Sequence, residues 1–122
     1  MLLWLRIQHF ALIDEVTLHF DKGFSVLTGE TGSGKSIILA ATNLILGERA
    51  DLKIIAPGAK KAIVEAQFEI SASLHDFFRL HELDFEAKTI IRREILQEGK
   101  SRAFINDTPV RLDIIKKLEK RI

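Results

Sequence analysis

Eight consecutive residues, Gly29, Glu30, Thr31, Gly32, Ser33, Gly34, Lys35 and Ser36, have the make-up of a cradle for phosphate groups. The pattern Gly-x-x-x-x-Gly-Lys-Ser is met by Gly29, Gly34, Lys35 and Ser36, with a further Gly32 inside it. Each residue type has a physical task. Glycines let the backbone take positive φ and bring its N–H groups against an anion with no Cβ in the way. A helix opening near Lys35 adds unpaired N–H groups and the positive end of its dipole. Lys35 carries a full charge to the β- and γ-phosphates, and the Ser36 hydroxyl is the kind of oxygen ligand Mg²⁺ accepts. Glu30, inside the loop, is placed to flank phosphates rather than to orient an attacking water. The chemistry implied is binding of ATP with Mg²⁺.

Such a motif has meaning only if a strand leads into it and a helix leads out. Phe24 to Thr28 is a short apolar run bounded by turn signals, the signature of a central strand covered on both faces. Lys35 to Leu46 is apolar almost all round, which predicts a buried helix, and Gly47 is a natural stop. Two strands come before the loop. Leu2 to Phe10 sets Leu3, Leu5 and Ile7 on one face and Trp4, Arg6 and Gln8 on the other. Ile13 to Phe20 sets Val16, Leu18 and Phe20 against Glu15, Thr17 and His19, as in a sheet with one solvated face.

Beyond Gly47, Glu48 to Lys61 reads as a loop with a turn at Pro57-Gly58. Ala62 to Ile70 alternates cleanly, with Ala62, Val64, Ala66, Phe68 and Ile70 facing in. Leu74 to Leu80 suggests a short helix. Thr89 to Leu96 and Ser101 to Asn106 form a hairpin across Gln97 to Lys100, Asn106-Asp107 marks another turn, and Arg111 to Arg121 is helical. The final helix runs to the last residue without a stop signal, so the chain is expected to be a fragment.

The whole chain bounds the possibilities further. It has 122 residues, a length suited to one domain with one core. A net charge of +1 predicts no partner, so nucleic-acid contact would rest on local basic patches. The absence of cysteine excludes a disulfide framework and any Cys-ligated metal site, and fits a reducing cytosol. The four histidines show no metal spacing. No apolar stretch approaches the roughly 20 residues that span a bilayer, so no membrane partner is expected.

Several residues outside the loop are candidates for contact. Arg49 follows the loop helix and is placed to approach the nucleotide or a partner, against the plainer reading of a surface arginine. Arg92, Arg93, Lys100 and Arg102 gather on the hairpin and are candidates for DNA phosphates, diluted by Glu94 and Glu98. His9 and Phe10 end the first strand; stacking on an adenine is weighed there against Phe10 as core, which is preferred. His19 belongs to a solvated face. Lys116, Lys117, Lys120 and Arg121 make a basic, solvated side of the last helix.

An antiparallel pair ahead of the loop favours the α/β P-loop heads of ABC/SMC type, with a mixed sheet whose N-terminal part is antiparallel. The wording of the chain resembles the RecN family of bacterial SMC-like ATPases of double-strand-break repair. The similarity is carried by "LLWLRIQHFALIDEVTLHFDKGFSVLTGETGSGKSII", "LILGERAD", "GAKKAIVEAQFEI" and "REILQEGKSRAFINDTPVRL". It covers nearly the whole chain, with Leu74 to Lys88 least distinctive. The resemblance implies a split ATPase in which residues 1–122 are the N-terminal portion of a head, completed by a C-terminal half beyond a long coiled coil. ATP is then held between two heads of a homodimer that opens and closes around DNA. The resemblance also implies a cytoplasmic, nucleoid-associated protein. The family's Walker B aspartate, catalytic glutamate and signature serine belong to the C-terminal half, so no catalytic residue is expected in this chain. Two other readings stay open: another SMC-like or ABC-type ATPase subunit, and a non-hydrolytic module whose DNA binding or dimerisation depends on nucleotide.

Overall fold

The computed structural model describes residues 1–20 and 32–122, with side chains from Ser36 onward in the second span. The expected strand over 24–28 lies outside the described residues, and so do Gly29, Glu30 and Thr31 of the loop.

Among the described residues six strands form one sheet: β1 (Leu2–Phe10), β2 (Ile13–His19), β3 (Lys61–Glu69), β4 (Lys88–Leu96), β5 (Ser101–Ile105) and β6 (Thr108–Val110). Their order across the sheet is β2-β1-β3-β4-β5-β6, and every pairing among the described residues is antiparallel. Three α-helices are described: α1 (Gly32–Ile45), α2 (His75–Leu80) and α3 (Leu112–Glu119). Short 3₁₀ turns occupy Leu52–Ile54, capped by Asp51, and Ala72–Leu74, capped by Ser71.

The alternation of the strands decides which face is covered. Leu5, Ile7, Ala62, Val64, Ala66, Ile91, Ile95, Ala103 and Ile105 point to one side and are buried. Ala41, Leu44 and Ile45 of α1 and Ile115 and Leu118 of α3 join them there in a single core. The sheet with two helices on it gives each helix an apolar stripe to bury, roughly 1.5–3 kcal/mol per large side chain. Phe10 belongs to this core at 2% exposure, so the preference for core over stacking holds.

Three features differ from the sequence expectations. Helix α1 opens at Gly32, ahead of Lys35. Its glycines fall in the first turn, where N–H groups have no intrahelical partner and a glycine breaks no hydrogen bond. Nor is α1 buried all round: Leu39 is 62% exposed, and Ile37 and Ile38 are half-buried. The sheet reaches one side of the helix, and nothing among the described residues covers Leu39. Finally, β6 follows directly on the Asn106-Asp107 turn, a three-residue strand too short to show a period.

That turn explains part of the "SRAFIND" wording. Asn106 and Asp107 have φ of 48° and 67°, the paired positive values of a type I′ hairpin, which asparagine and aspartate tolerate. The Asn106 Oδ1 accepts from the Ile90 N–H at 2.9 Å, and its Nδ2 donates to the Asp84 carbonyl at 3.1 Å. One side chain therefore fastens the β5–β6 turn to the start of β4.

Candidate nucleotide site and the basic hairpin

Helix α1 organises the site because the phosphate-loop residues run into its N-terminus. Gly32 to Lys35 form its first turn, and the N–H groups of such a turn have no carbonyl within the helix to bond. Gly29, Glu30 and Thr31 lie outside the described residues, and no side-chain geometry is described for Ser33 or Lys35. Ser36 is exposed. Backbone donors, a lysine and a hydroxyl are hard-oxyanion and hard-cation chemistry, which fits a polyphosphate with Mg²⁺.

The other end of α1 is locked. Gly47 ends the helix at φ 99°, a conformation that favours glycine, and a Cβ there would stand 2.8 Å from the Lys116 Cγ of α3. Arg93 reaches the same end from β4. Its Nη1 donates to the Leu44 carbonyl at 2.7 Å and to the Glu48 carbonyl at 2.9 Å. A cation there meets the negative end of the helix dipole and adds a second donor to the Leu44 carbonyl, which also accepts from the Gly47 N–H at 3.1 Å. Arg93 is fully buried, and burial pushes its guanidinium pKa below the ordinary value. Its Nε and Nη2 have no hydrogen-bond partner among the described residues.

This placement corrects the expectation for Arg93. It does not stand beside Arg92 on a phosphate-facing surface, because successive strand residues point to opposite sides. The signal was in the sequence: Thr89, Ile91, Arg93 and Ile95 share one parity, and three of the four suit a covered face.

Arg92 faces the open side. Its guanidinium stacks over Phe104 at 4.1 Å from the ring centroid, with Nη1 2.9 Å from the Asp107 carboxylate and Nε 3.3 Å from Glu94. Glu94, buried among these cations, also lies 3.8 Å from Lys61 and from Arg102. The open face is therefore a ladder of matched charges. In register across it run Thr17, Arg6, Glu65, Arg92 and Phe104. Arg6 pairs with Glu15 at 2.9 Å, and the Trp4 Nε1 donates to Gln67 at 2.9 Å.

Lys100 and Arg102 are exposed but separate. Lys100 shares a cleft of roughly 230 Å³ with Arg49, Ser101 and Leu112. The structure thus brings together Arg49 and Lys100, two residues distant in sequence, at the C-terminal end of α1. Arg102 lines a second cleft, near 530 Å³, with Phe104, Pro109 and Arg111. His9 is exposed at φ 53°, with Nδ1 3.4 Å from Asp14, and His19 is exposed on β2. Among the described residues no cluster of His, Asp and Glu is arranged to hold a metal ion. No helix among them is long and apolar enough to cross a membrane.

An antiparallel sheet carrying a P-loop helix on one face is the arrangement of SMC-type ATPase heads. A chain from a structural study of ATP-driven dimerization and DNA-stimulated activation of SMC ATPases superposes with a TM-score of 0.78 at 24% identity, covering 98% of this chain and 78% of that one. The SMC head domain from Thermotoga maritima superposes at 0.67 with 23% identity, over 96% of this chain and 41% of that one. These likenesses define the fold as part of an ABC/SMC-type head. The chain belongs to the RecF/RecN/SMC N terminal domain family, whose model matches residues 1–122. Among individual proteins it is similar to DNA repair protein RecN of Halalkalibacterium halodurans, 39% identical over 97% of this chain and 21% of that protein. It is equally similar to DNA repair protein RecN of Vibrio cholerae, 39% identical over 97% of this chain and 22% of that one. The chain spans about a fifth of the length of these relatives.

Proposed function

We propose that Gly29 to Ser36 hold the phosphates of ATP, with Lys35 as the charge and Ser36 as the Mg²⁺ ligand, in an SMC-type ATPase of DNA double-strand-break repair. The single observation that carries this is the Gly-x-x-x-x-Gly-Lys-Ser pattern running into the N-terminus of α1 within an SMC-head fold. In this chain the residues do the binding half of the work. Backbone N–H groups and Lys35 neutralise phosphate charge, and Ser36 orients the metal. Bound Mg²⁺ would draw charge from the transferred phosphoryl group. Water activation falls to residues of the C-terminal half of the head, and the second head of a homodimer closes over the nucleotide, as the likeness to RecN suggests. The isolated chain binds Mg·ATP weakly and turns it over negligibly.

The same reading assigns DNA to the intact protein and makes it cytoplasmic and nucleoid-associated. On this chain the contact surface rests on exposed Lys100 and Arg102, with Arg49 beside Lys100 in the cleft. Arg92, tied to Asp107, Glu94 and Phe104, supports that surface more than it reaches out of it. Arg93 takes no part.

Calorimetry of Mg·ATP binding to this chain and to Lys35→Ala tests the phosphate assignment. A loss of about tenfold or more in the variant is expected. Equal affinity would remove Lys35 from the role.

A further inference from the structure

We propose that Arg93 is a positioning residue for the nucleotide site: by holding carbonyls at the C-terminal end of α1 it sets where the first turn of that helix, Gly32 to Lys35, stands. The proposal rests on the reading of Gly29 to Ser36 as the phosphate site.

Burying a cation with carbonyl partners and no carboxylate is an expensive way to fill a core position. An apolar residue of similar volume is often neutral or better for stability. The expense therefore points to a geometric requirement. Arg93 meets one: two short hydrogen bonds from Nη1 grip Leu44 in the last turn of α1 and Glu48 just past Gly47. Both the helix end and the chain leaving it are fixed to the same atom of β4.

The rest of that end is equally constrained. Gly47 packs against α3, where a Cβ would stand 2.8 Å from the Lys116 Cγ. Leu44 and Ile45 are buried against the sheet. A 14-residue helix is a rod of about 21 Å, and an axial shift at one end appears undiminished at the other. Leu39 is 62% exposed and the middle of α1 is only half covered, so its C-terminal anchor carries more of the task than in a helix packed all round. Arg93 also lies on the strand that continues into the turn bearing Lys100, so the grip ties α1 to that turn through one residue.

The test uses the 122-residue chain in four forms: wild type, Arg93→Gln, Arg93→Lys and Lys35→Ala. Two readings are taken well below the unfolding midpoint of each form: Mg·ATP affinity, and amide hydrogen exchange over Ser36 to Ala40 without nucleotide. Gln reaches less far and carries no charge, so Arg93→Gln should weaken Mg·ATP about tenfold and speed exchange at Ser36 to Ala40 by a similar factor. Lys keeps the charge but has one centre, so Arg93→Lys should fall between, about threefold from wild type. A merely structural Arg93 would lower the midpoint and speed exchange at Leu44 to Glu48, leaving affinity and Ser36 to Ala40 unchanged; that result overturns the proposal. If Arg93→Gln does not fold, Arg93→Lys decides, and wild-type affinity and exchange in it overturn the proposal too. Should Lys35→Ala bind as wild type, the phosphate reading fails instead, and the exchange at Ser36 to Ala40 still decides whether Arg93 positions the helix.

Discussion

Arg92 and Arg93 are neighbours in sequence and opposites in physics. Arg92 lies on the open face of the sheet, shared among Asp107, Glu94 and the Phe104 ring. Arg93 lies on the helix-covered face with no exposed surface, and all its described polar contacts are carbonyls at the end of α1. On the open face a charge is shared and replaceable: without Arg92, Asp107 turns to water and Glu94 keeps Lys61 and Arg102 at 3.8 Å. On the covered face removal takes the buried donor from two carbonyls, of which only that of Leu44 keeps a described backbone partner, the Gly47 N–H. The lesson is that the strand's parity, and not the residue type, decides what an arginine is for.

The sharpest way to break this comparison is to truncate both residues and measure urea unfolding. Arg93→Ala should cost about 3 kcal/mol, from two charge-assisted hydrogen bonds and the cavity left behind. An intermediate effect is expected at Asn106, whose side chain crosses from the turn to β4. Asn106→Ala should cost about 2 kcal/mol, since it loses both hydrogen bonds and must hold φ 48° without asparagine's tolerance. Asn106→Gly keeps the backbone conformation and should cost about 1 kcal/mol, which separates the two contributions. Smallest of all, Arg92→Ala should cost under about 1 kcal/mol and less in high salt, being a partly exposed ion pair. If Arg92→Ala proved as damaging as Arg93→Ala, the contrast between the faces would be wrong.

Much of the architecture was legible because it is written in alternation. Leu3, Leu5 and Ile7, and Ala62 through Phe68, show period two without interruption, and with Phe10 they are the buried residues of β1 and β3. The phosphate motif was legible as a pattern of types, and the stop of α1 at Gly47 as a single glycine. What escaped was whatever depends on a neighbour. Leu39 reads as buried until the sheet is seen to reach only one side of α1. Arg93 reads as a surface charge until β4 lies against the helix end. Arg49 and Lys100 share no sequence signal, and only the packing of the segment after α1 against the hairpin turn brings them to one cleft. Within "SRAFIND" the turn was visible, but the grip of Asn106 on Ile90 and Asp84 spans 16 and 22 residues and has no local signature.

Pro109 in β6 has a consequence for how the molecule keeps to itself. Ile105 and Thr108 close the two-residue turn and bond to each other, so Phe104 and Pro109 form the next, non-bonded pair. The backbone of residue 109 is therefore the one in β6 that points away from the sheet, and proline has no N–H to offer there. A second chain arriving at this edge finds a lone acceptor. That foothold is too weak to seed pairing between molecules, and the sheet ends at β6 by chemistry as well as by length.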